Sequence, residues 1–146
     1  MTEINFHPAA PILRVVNLEA SLAYYASALG FAKDWGDRWF ASVSRGRCTL
    51  FLAEGDQGHP GGWVYVGVGD AAALHDEIRA KGAKVRQPPT NHPWALEIQV
   101  EDLDGNVLRF GSDSLEGQPF GEWLDMWGAR WIRSAASAFT RREEES

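Results

Sequence analysis

Two stretches of this chain repeat at a fixed interval. LRVVN (13–17) runs into LEASLAYYASALG (18–30), and VYVGVGD (64–70) runs into AAALHDEIRAKG (71–82). Val16 and Val68, Leu22 and Leu74, and Gly30 and Gly82 all stand 52 residues apart. In each copy a strand-like run precedes apolar residues at helical spacing: Leu18, Leu22, Tyr25 and Leu29 in the first, Leu74 and Ile78 in the second. Asn17 and Asp70 can each accept a hydrogen bond from an orphan amide of the first turn, which predicts them as N-caps. Gly30 and Gly82 supply the residue type that ends helices. A chain built this way is restricted to folds in which two similar supersecondary units stack or pair.

The segments after the two helices also match. Strand-like runs occupy 31–35, 39–44 and 48–53 in the first half, the last two joined by a turn at Arg45-Gly46. In the second half they occupy 84–87, 96–101 and 107–111, the last two joined by Asp104-Gly105-Asn106. Asp-Gly between alternating strands is a strong hairpin signal. Each half therefore reads strand, helix, then three strands, and the glycine-rich stretch 55–62 links them. At 146 residues there is room for one domain of two small modules. The predicted class is α+β: tandem βαβββ modules over about 10–54 and 62–112, forming a curved mixed sheet or half-barrel within a domain at 1–114. Residues 115–146 fit neither copy. Phe120, Trp123, Leu124, Trp127, Trp131, Ala135 and Ala138 fall at helical spacing, which predicts a C-terminal helical extension packed on the domain or lying over a ligand.

A tandem βαβββ plan, with LRVVNLEASLAYYASALGF as its opening strand and helix and PWALEIQVEDLDGNVLRFG (93–111) as its closing hairpin, resembles the vicinal oxygen chelate superfamily. That superfamily contains glyoxalases, bleomycin resistance proteins, fosfomycin-modifying enzymes and extradiol dioxygenases. The hairpin resembles its Asp-Pro-Asp-Gly turn, with Leu103 in place of the proline. The resemblance spans residues 10–112 and implies the fold. Function has to be argued from the site.

Catalytic members of such a family hold a divalent metal on side chains at four equivalent strand positions. The resemblance carries these positions onto Ala10, Trp63, Arg109, and Leu50 or Phe51. None of these side chains presents a ligand atom, and an arginine repels a cation. His7, His59 and His92 read as loop residues, and His75 as lying on the helix face opposite Leu74 and Ile78. No pair has the spacing of a ligand pair. No metal and no cofactor are expected.

Strand alternation assigns the faces. Leu13, Val15, Cys48, Leu50, Leu52, Val64, Val66, Val68, Leu96, Ile98, Leu108 and Phe110 are predicted to face the helices. The opposite, concave side then receives Arg14, Thr49 and Phe51 from the first module. From the second it receives Trp63, Tyr65, Glu97, Gln99, Val107 and Arg109, with Trp35 and Phe40 as further aromatic candidates. This count favours Phe51 over Leu50 at the ambiguous position. Aromatic walls with a few orienting polar groups describe a small-molecule site. The alternative is a cleft filled by its own residues, with Trp63 in the void and Arg109 paired to Glu97 across the hairpin. Cys48, on the core side, reads as an inert thiol with no partnering histidine.

Charge and cysteine content exclude other classes. With 14 basic and 20 acidic residues the net charge is -6, and the chain lacks the basic surface that phosphate backbones need. One cysteine excludes an internal disulfide framework. No apolar run reaches the roughly 20 residues of a membrane span. The opening residues lack a secretory pattern, so a cytoplasmic location is expected.

The leading reading is a metal-free protein that binds and sequesters a planar or aromatic ligand, similar to the bleomycin-resistance branch. The ligand-binding residues are Arg14, Phe51, Trp63, Tyr65, Glu97, Gln99 and Arg109. The resemblance implies a homodimer whose clefts combine the first module of one chain with the second of the other, and pairing would also cover exposed sheet edges. One alternative is a metal-independent lyase or isomerase with Glu97 as general base and Arg109 stabilising an oxyanion. Another is a dimerisation module with a closed cleft.

Overall fold

The computed structural model describes residues 3–118, 120–121, 123–124, 130–133 and 139–141, with side chains only as far as Gly121. The elements of the first module are β1 (Ile12–Val15), α1 (Leu18–Ser27), β2 (Ala32–Gly36), β3 (Phe40–Arg45) and β4 (Cys48–Glu54). Those of the second are β5 (Trp63–Gly67), α2 (Ala71–Ala80), β6 (Lys84–Asn91), β7 (Leu96–Glu101) and β8 (Val107–Ser112). Two four-stranded mixed sheets result, ordered β1-β4-β3-β2 and β5-β8-β7-β6. In each the first strand runs parallel to the last, and the remaining pairs are antiparallel. The two sheets are copies of one plan, as the 52-residue repeat predicts.

Local chemistry explains the helix limits. Asn17 and Asp70 sit in extended backbone and accept from the amides of Ala20 and Ala73 at 2.9 and 3.0 Å. Gly30 and Gly82 adopt φ of 75° and 89°, a left-handed conformation that costs other residues about 1 kcal/mol or more.

The chain divides into two compact units, with boundaries after Gly62, Asp102 and Asn106. In the first, α1 packs on β2, β3 and β4, and the core is Leu13, Val15, Leu18, Tyr25, Leu29, Ala41, Val43, Leu50 and Leu52. The turn 103–106 belongs to this unit. Asp104 accepts from the Val16 amide at 3.0 Å, while Asn106 accepts from the Gly62 amide and donates to the Arg14 carbonyl, at 2.8 and 2.9 Å. The apolar stripe of α1 is corrected in one place. Ser21 is buried, within 3.5 Å of Asp104, and Leu22 is half-buried at the flank.

In the second unit α2 packs on β6, β7 and β8 over Ile78, Leu96, Ile98, Val100, Leu108 and Phe110. His75 was expected on the outward face but is buried with Ala71 and Ile78. At about 100° per residue His75 lies only about 60° round from Ile78 and about 40° from Ala71, so the inward stripe runs 71, 75, 78 and leaves Leu74 at its edge. β6 was expected to stop before Pro88-Pro89 and instead continues to Asn91. It is an edge strand with two register shifts, the setting in which a proline's missing N–H does no harm.

The C-terminal segment departs from expectation. Its described residues form the short strands β9 (Trp123–Leu124), β10 (Arg130–Arg133) and β11 (Phe139–Arg141), in a sheet ordered β11-β10-β9, where a helix was expected. Trp131 pairs with Trp123 and Ile132 with Thr140 in register. Aromatic and β-branched residues favour extended backbone, and Gly121 and Gly128 weaken a helix across the same span. Trp127, Ala135 and Ala138 lie outside the described residues.

Candidate functional site

Register places the second unit's polar residues in one band. Tyr65 pairs with Arg109, Arg109 with Gln99, and Gln99 with Gln87, so these four side chains lie in a row across all four strands. The next row is Gly67, Gly111, Glu97 and Thr90. Both rows alternate with the core residues and so share the face away from α2.

On that face Arg109 turns towards Glu97. Its Nε and Nη2 donate to Oε1 at 2.9 and 2.7 Å, and the Trp94 indole N–H donates to Oε2 at 3.1 Å. His92 brings Nε2 to 3.8 Å from the same Oε1, its ring stacked on Trp94 with centroids 4.6 Å apart. The Glu97 side chain is 2% exposed and that of Arg109 36%. A carboxylate held this way is an acceptor locked on both oxygens, oriented to hold Arg109 in place. Arg109 in turn lies 5.7 Å from the Tyr65 ring centroid.

Tyr65 owes its position to a glycine. It lies flat across the sheet, and a Cβ built at Gly111 would collide with its hydroxyl. Trp63 and Tyr65 are each 54% exposed, so two aromatic rings stand open beside a fixed ion pair. Val107, expected on this face, pairs with Trp63 in register and is buried there.

The first unit holds the other two candidates. Arg14 lies on the face away from α1, and two of its five N–H groups donate to the linker carbonyls of Asp56 and Gln57, at 2.5 and 3.2 Å. Phe51 sits in an aromatic cluster with Trp35 and Phe40, its centroid 5.5 and 5.3 Å from theirs. Trp35 stacks on Phe40 and remains 54% exposed.

Several contributors escape a reading of the sequence. Arg86, the residue before Gln87 on β6, donates from Nη1 to Gln99 Oε1 at 2.8 Å and lies 4.8 Å from the Trp63 ring centroid. Alternation puts neighbours on opposite faces, so only the irregularity of β6 brings Arg86 here. His92 lies in a loop, as expected, but is buried there against Trp94. Asn91 anchors the segment after β8, its side chain bonded to Ser114, to the amide and carbonyl of Leu115, and to the Gln118 carbonyl. The dipeptide Asn91-His92 gives no sign of either role.

The donor set does not fit a divalent metal. Ala10, Phe51, Trp63 and Arg109 offer no ligand atom, and Glu97 is engaged on both oxygens. Among the described residues no three His, Cys, Asp or Glu side chains converge. Cys48 is half-buried rather than fully buried, and desolvation pushes its thiol up from the usual cysteine range, the opposite of an activated nucleophile. No helix among the described residues is long and apolar enough to cross a membrane.

Comparison with known proteins agrees with this architecture. The family model for the Glyoxalase/Bleomycin resistance protein/Dioxygenase superfamily matches residues 6–110. A bleomycin-binding protein from bleomycin-producing Streptomyces verticillus, solved with copper(II)-bleomycin, is 29% identical, with a TM-score of 0.66 over 77% of this chain and 100% of that one. A bleomycin resistance determinant encoded on transposon Tn5 is 20% identical, with a TM-score of 0.66 over 75% of this chain and 100% of that one. A glyoxalase/bleomycin resistance protein/dioxygenase from Nocardioides is 21% identical, with a TM-score of 0.60 over 80% and 89% of the two chains. No curated protein shows a significant sequence match.

Proposed function

This chain belongs to the Glyoxalase/Bleomycin resistance protein/Dioxygenase superfamily, and from that premise we propose that it binds a planar or aromatic small molecule and sequesters it without metal or turnover. One observation carries the reading: Trp63 and Tyr65 stand more than half exposed on a sheet face whose neighbouring Arg109 is fixed by Glu97. Large exposed aromatics beside preorganised polar groups are what a stacking ligand requires, each ring pair adding about 0.5–1.5 kcal/mol beyond area burial. The 29% identity to a bleomycin-binding protein supports a function of this type.

The proposal extends to a cytoplasmic homodimer whose cleft sets Arg14 and Phe51 of one protomer against Trp63 and Arg109 of its partner. The linker carbonyls hold Arg14 by two of its N–H groups and leave the others for a ligand. The lyase alternative is weaker. A general base must be within reach of its substrate, and the Glu97 side chain is 2% exposed, with Arg109 on Oε1 and Trp94 on Oε2.

A thermal-shift screen of planar compounds, with and without zinc, nickel and manganese, tests the reading. A ligand at 100 times its Kd adds about 2.7 kcal/mol, or about 5–10 °C in Tm at this size. Trp63→Ala should abolish that shift. Stabilisation by a metal alone would refute the metal-free reading, and a 16.2 kDa particle in light scattering at micromolar concentration would refute the dimer.

A further inference from the structure

β6 carries a β-bulge at the position that matters for ligand charge. Val85 pairs with Val100 and Gln87 with Gln99, so two steps along β6 face one step along β7, and Arg86 is the extra residue. A bulge re-aims the side chain it carries. Here it turns Arg86 onto the face of Gln99, where Nη1 bonds Gln99 Oε1 and the guanidinium lies over Trp63. Trp63 is on β5, the opposite edge of this sheet, so the two long side chains meet above β7 and β8.

The first module repeats the device with the opposite charge. Lys33 pairs with Val43 and Trp35 with Ser42, leaving Asp34 as the extra residue of β2. Asp34 stands 52 residues before Arg86, the interval of the sequence repeat. Its carboxylate accepts from the hydroxyls of Ser42 and Ser44 at 3.0 and 2.7 Å. An irregularity that recurs at the equivalent place in both sheets, each time bearing a charged side chain, is a built feature of the fold.

Among the described residues, the face around Arg86 is otherwise electrically balanced. Arg109 pairs with Glu97, and Lys84 pairs with Glu101 at 2.7 Å. Arg86 forms no ion pair among the described residues. Of its five N–H donors one is taken by Gln99, and the others have no protein partner among those residues. The net charge of -6 favours cations at long range, but at physiological salt a charge is screened beyond about 8 Å. Within a site the local guanidinium decides.

We infer that Arg86 selects the charge of the ligand, and that the ligand is a planar compound carrying an anionic group such as a carboxylate or sulfonate. Its ring stacks on Trp63 and Tyr65 while the anion accepts from the remaining donors of Arg86. This rests on the ligand-binding reading above and names the ligand class for that face.

Calorimetric titration with three probes of one shape tests it: 2-naphthoate, neutral 2-naphthamide, and the 2-naphthylmethylammonium cation. Naphthoate should bind about tenfold tighter than the amide, the low end for a hydrogen bond between charged partners, and the cation most weakly. Arg86→Gln should bring naphthoate down to the amide's affinity. Arg79→Gln, the same charge change in the exposed last turn of α2, should leave the preference intact. Equal binding of naphthoate and amide to the unaltered protein would overturn the inference and leave the ligand-binding reading standing, a result that does not depend on any variant folding. A preference that survives Arg86→Gln would also overturn it. If none of the three probes binds, both fall.

Discussion

Replacing Arg109 by methionine removes the cation from a carboxylate that water barely reaches. The Glu97 side chain is 2% exposed, and after the substitution the Trp94 indole at 3.1 Å and His92 at 3.8 Å are the polar groups left beside it. Removing one partner of a buried ion pair costs about 3–5 kcal/mol. Because the Arg109 side chain is itself 36% exposed, water can enter the gap, and the lower figure of about 3 kcal/mol applies. For a chain of this length that is about 6–12 °C in Tm. Removing both charges, Glu97→Leu with Arg109→Met, takes the acceptor from the Trp94 donor, a loss of about 1 kcal/mol. The double variant should therefore be more stable than Arg109→Met alone by about 2 kcal/mol, the sign expected when the damage is an unpaired buried charge. Urea unfolding followed by far-UV circular dichroism measures all three proteins. The deficit of Arg109→Met should persist in 1 M salt, where a surface ion pair would be screened out. A single-variant loss below about 1 kcal/mol, or a double variant less stable than the single, would refute the claim that Glu97 is a buried anion held by Arg109.

Three further outcomes are expected. Gly111→Ala should cost about 1–3 kcal/mol in urea unfolding, because the added Cβ collides with the Tyr65 hydroxyl. Gly67→Ala, at the register partner with no atom within 4 Å of its Cβ, should cost well under half of that. Asp70→Ala should lower stability by about 1 kcal/mol through loss of the bond to the Ala73 amide, while Asp70→Asn retains most of it. Cys48 should react with iodoacetamide at pH 7.5 more slowly than free glutathione, its rate still climbing above pH 9, since burial disfavours the thiolate. By the same sign, the stability linked to this thiol is whole below the unfolded value of about 8.5 and falls as pH rises through the higher folded value.

Where local chemistry decides, the chain is legible. Asn17 and Asp70 cap because a short oxygen-bearing side chain meets the first-turn amides, and the interval of 52 residues fixes two copies of one topology. Expectation failed where a neighbour outvoted the local pattern. Ser21 is inward because Asp104, 83 residues away, comes within hydrogen-bonding reach of its hydroxyl. His75 is inward because helical geometry sets it only about 60° round from Ile78, a placement that counting apolar residues alone overlooks. At 123–141 a spacing of four between tryptophans is compatible with helix and with strand pairing, and periodicity alone does not choose between a helical face and the register of Trp123 with Trp131.

The proposed binding face is legible in its aromatics and illegible in its charge. Alternation alone puts Trp63, Tyr65, Gln99 and Arg109 on one side of the second sheet, and the register agrees. Alternation also puts Arg86 on the other side from Gln87, and there it fails. The failure comes from the bulge, because one residue in excess on an edge strand reverses the facing of everything before it relative to everything after. Nothing in KVRQPPTN marks where that residue falls. Yet Asp34 occupies the equivalent bulge in the first sheet, so the repeat that reveals the fold also points to the irregular position, once one copy's register is known. The polar residues that alternation does find, Arg109 and Glu97, neutralise each other. The one it misses, Arg86, forms no ion pair among the described residues, so the group proposed to discriminate between ligands stands at a bulge, where period-two reasoning does not hold.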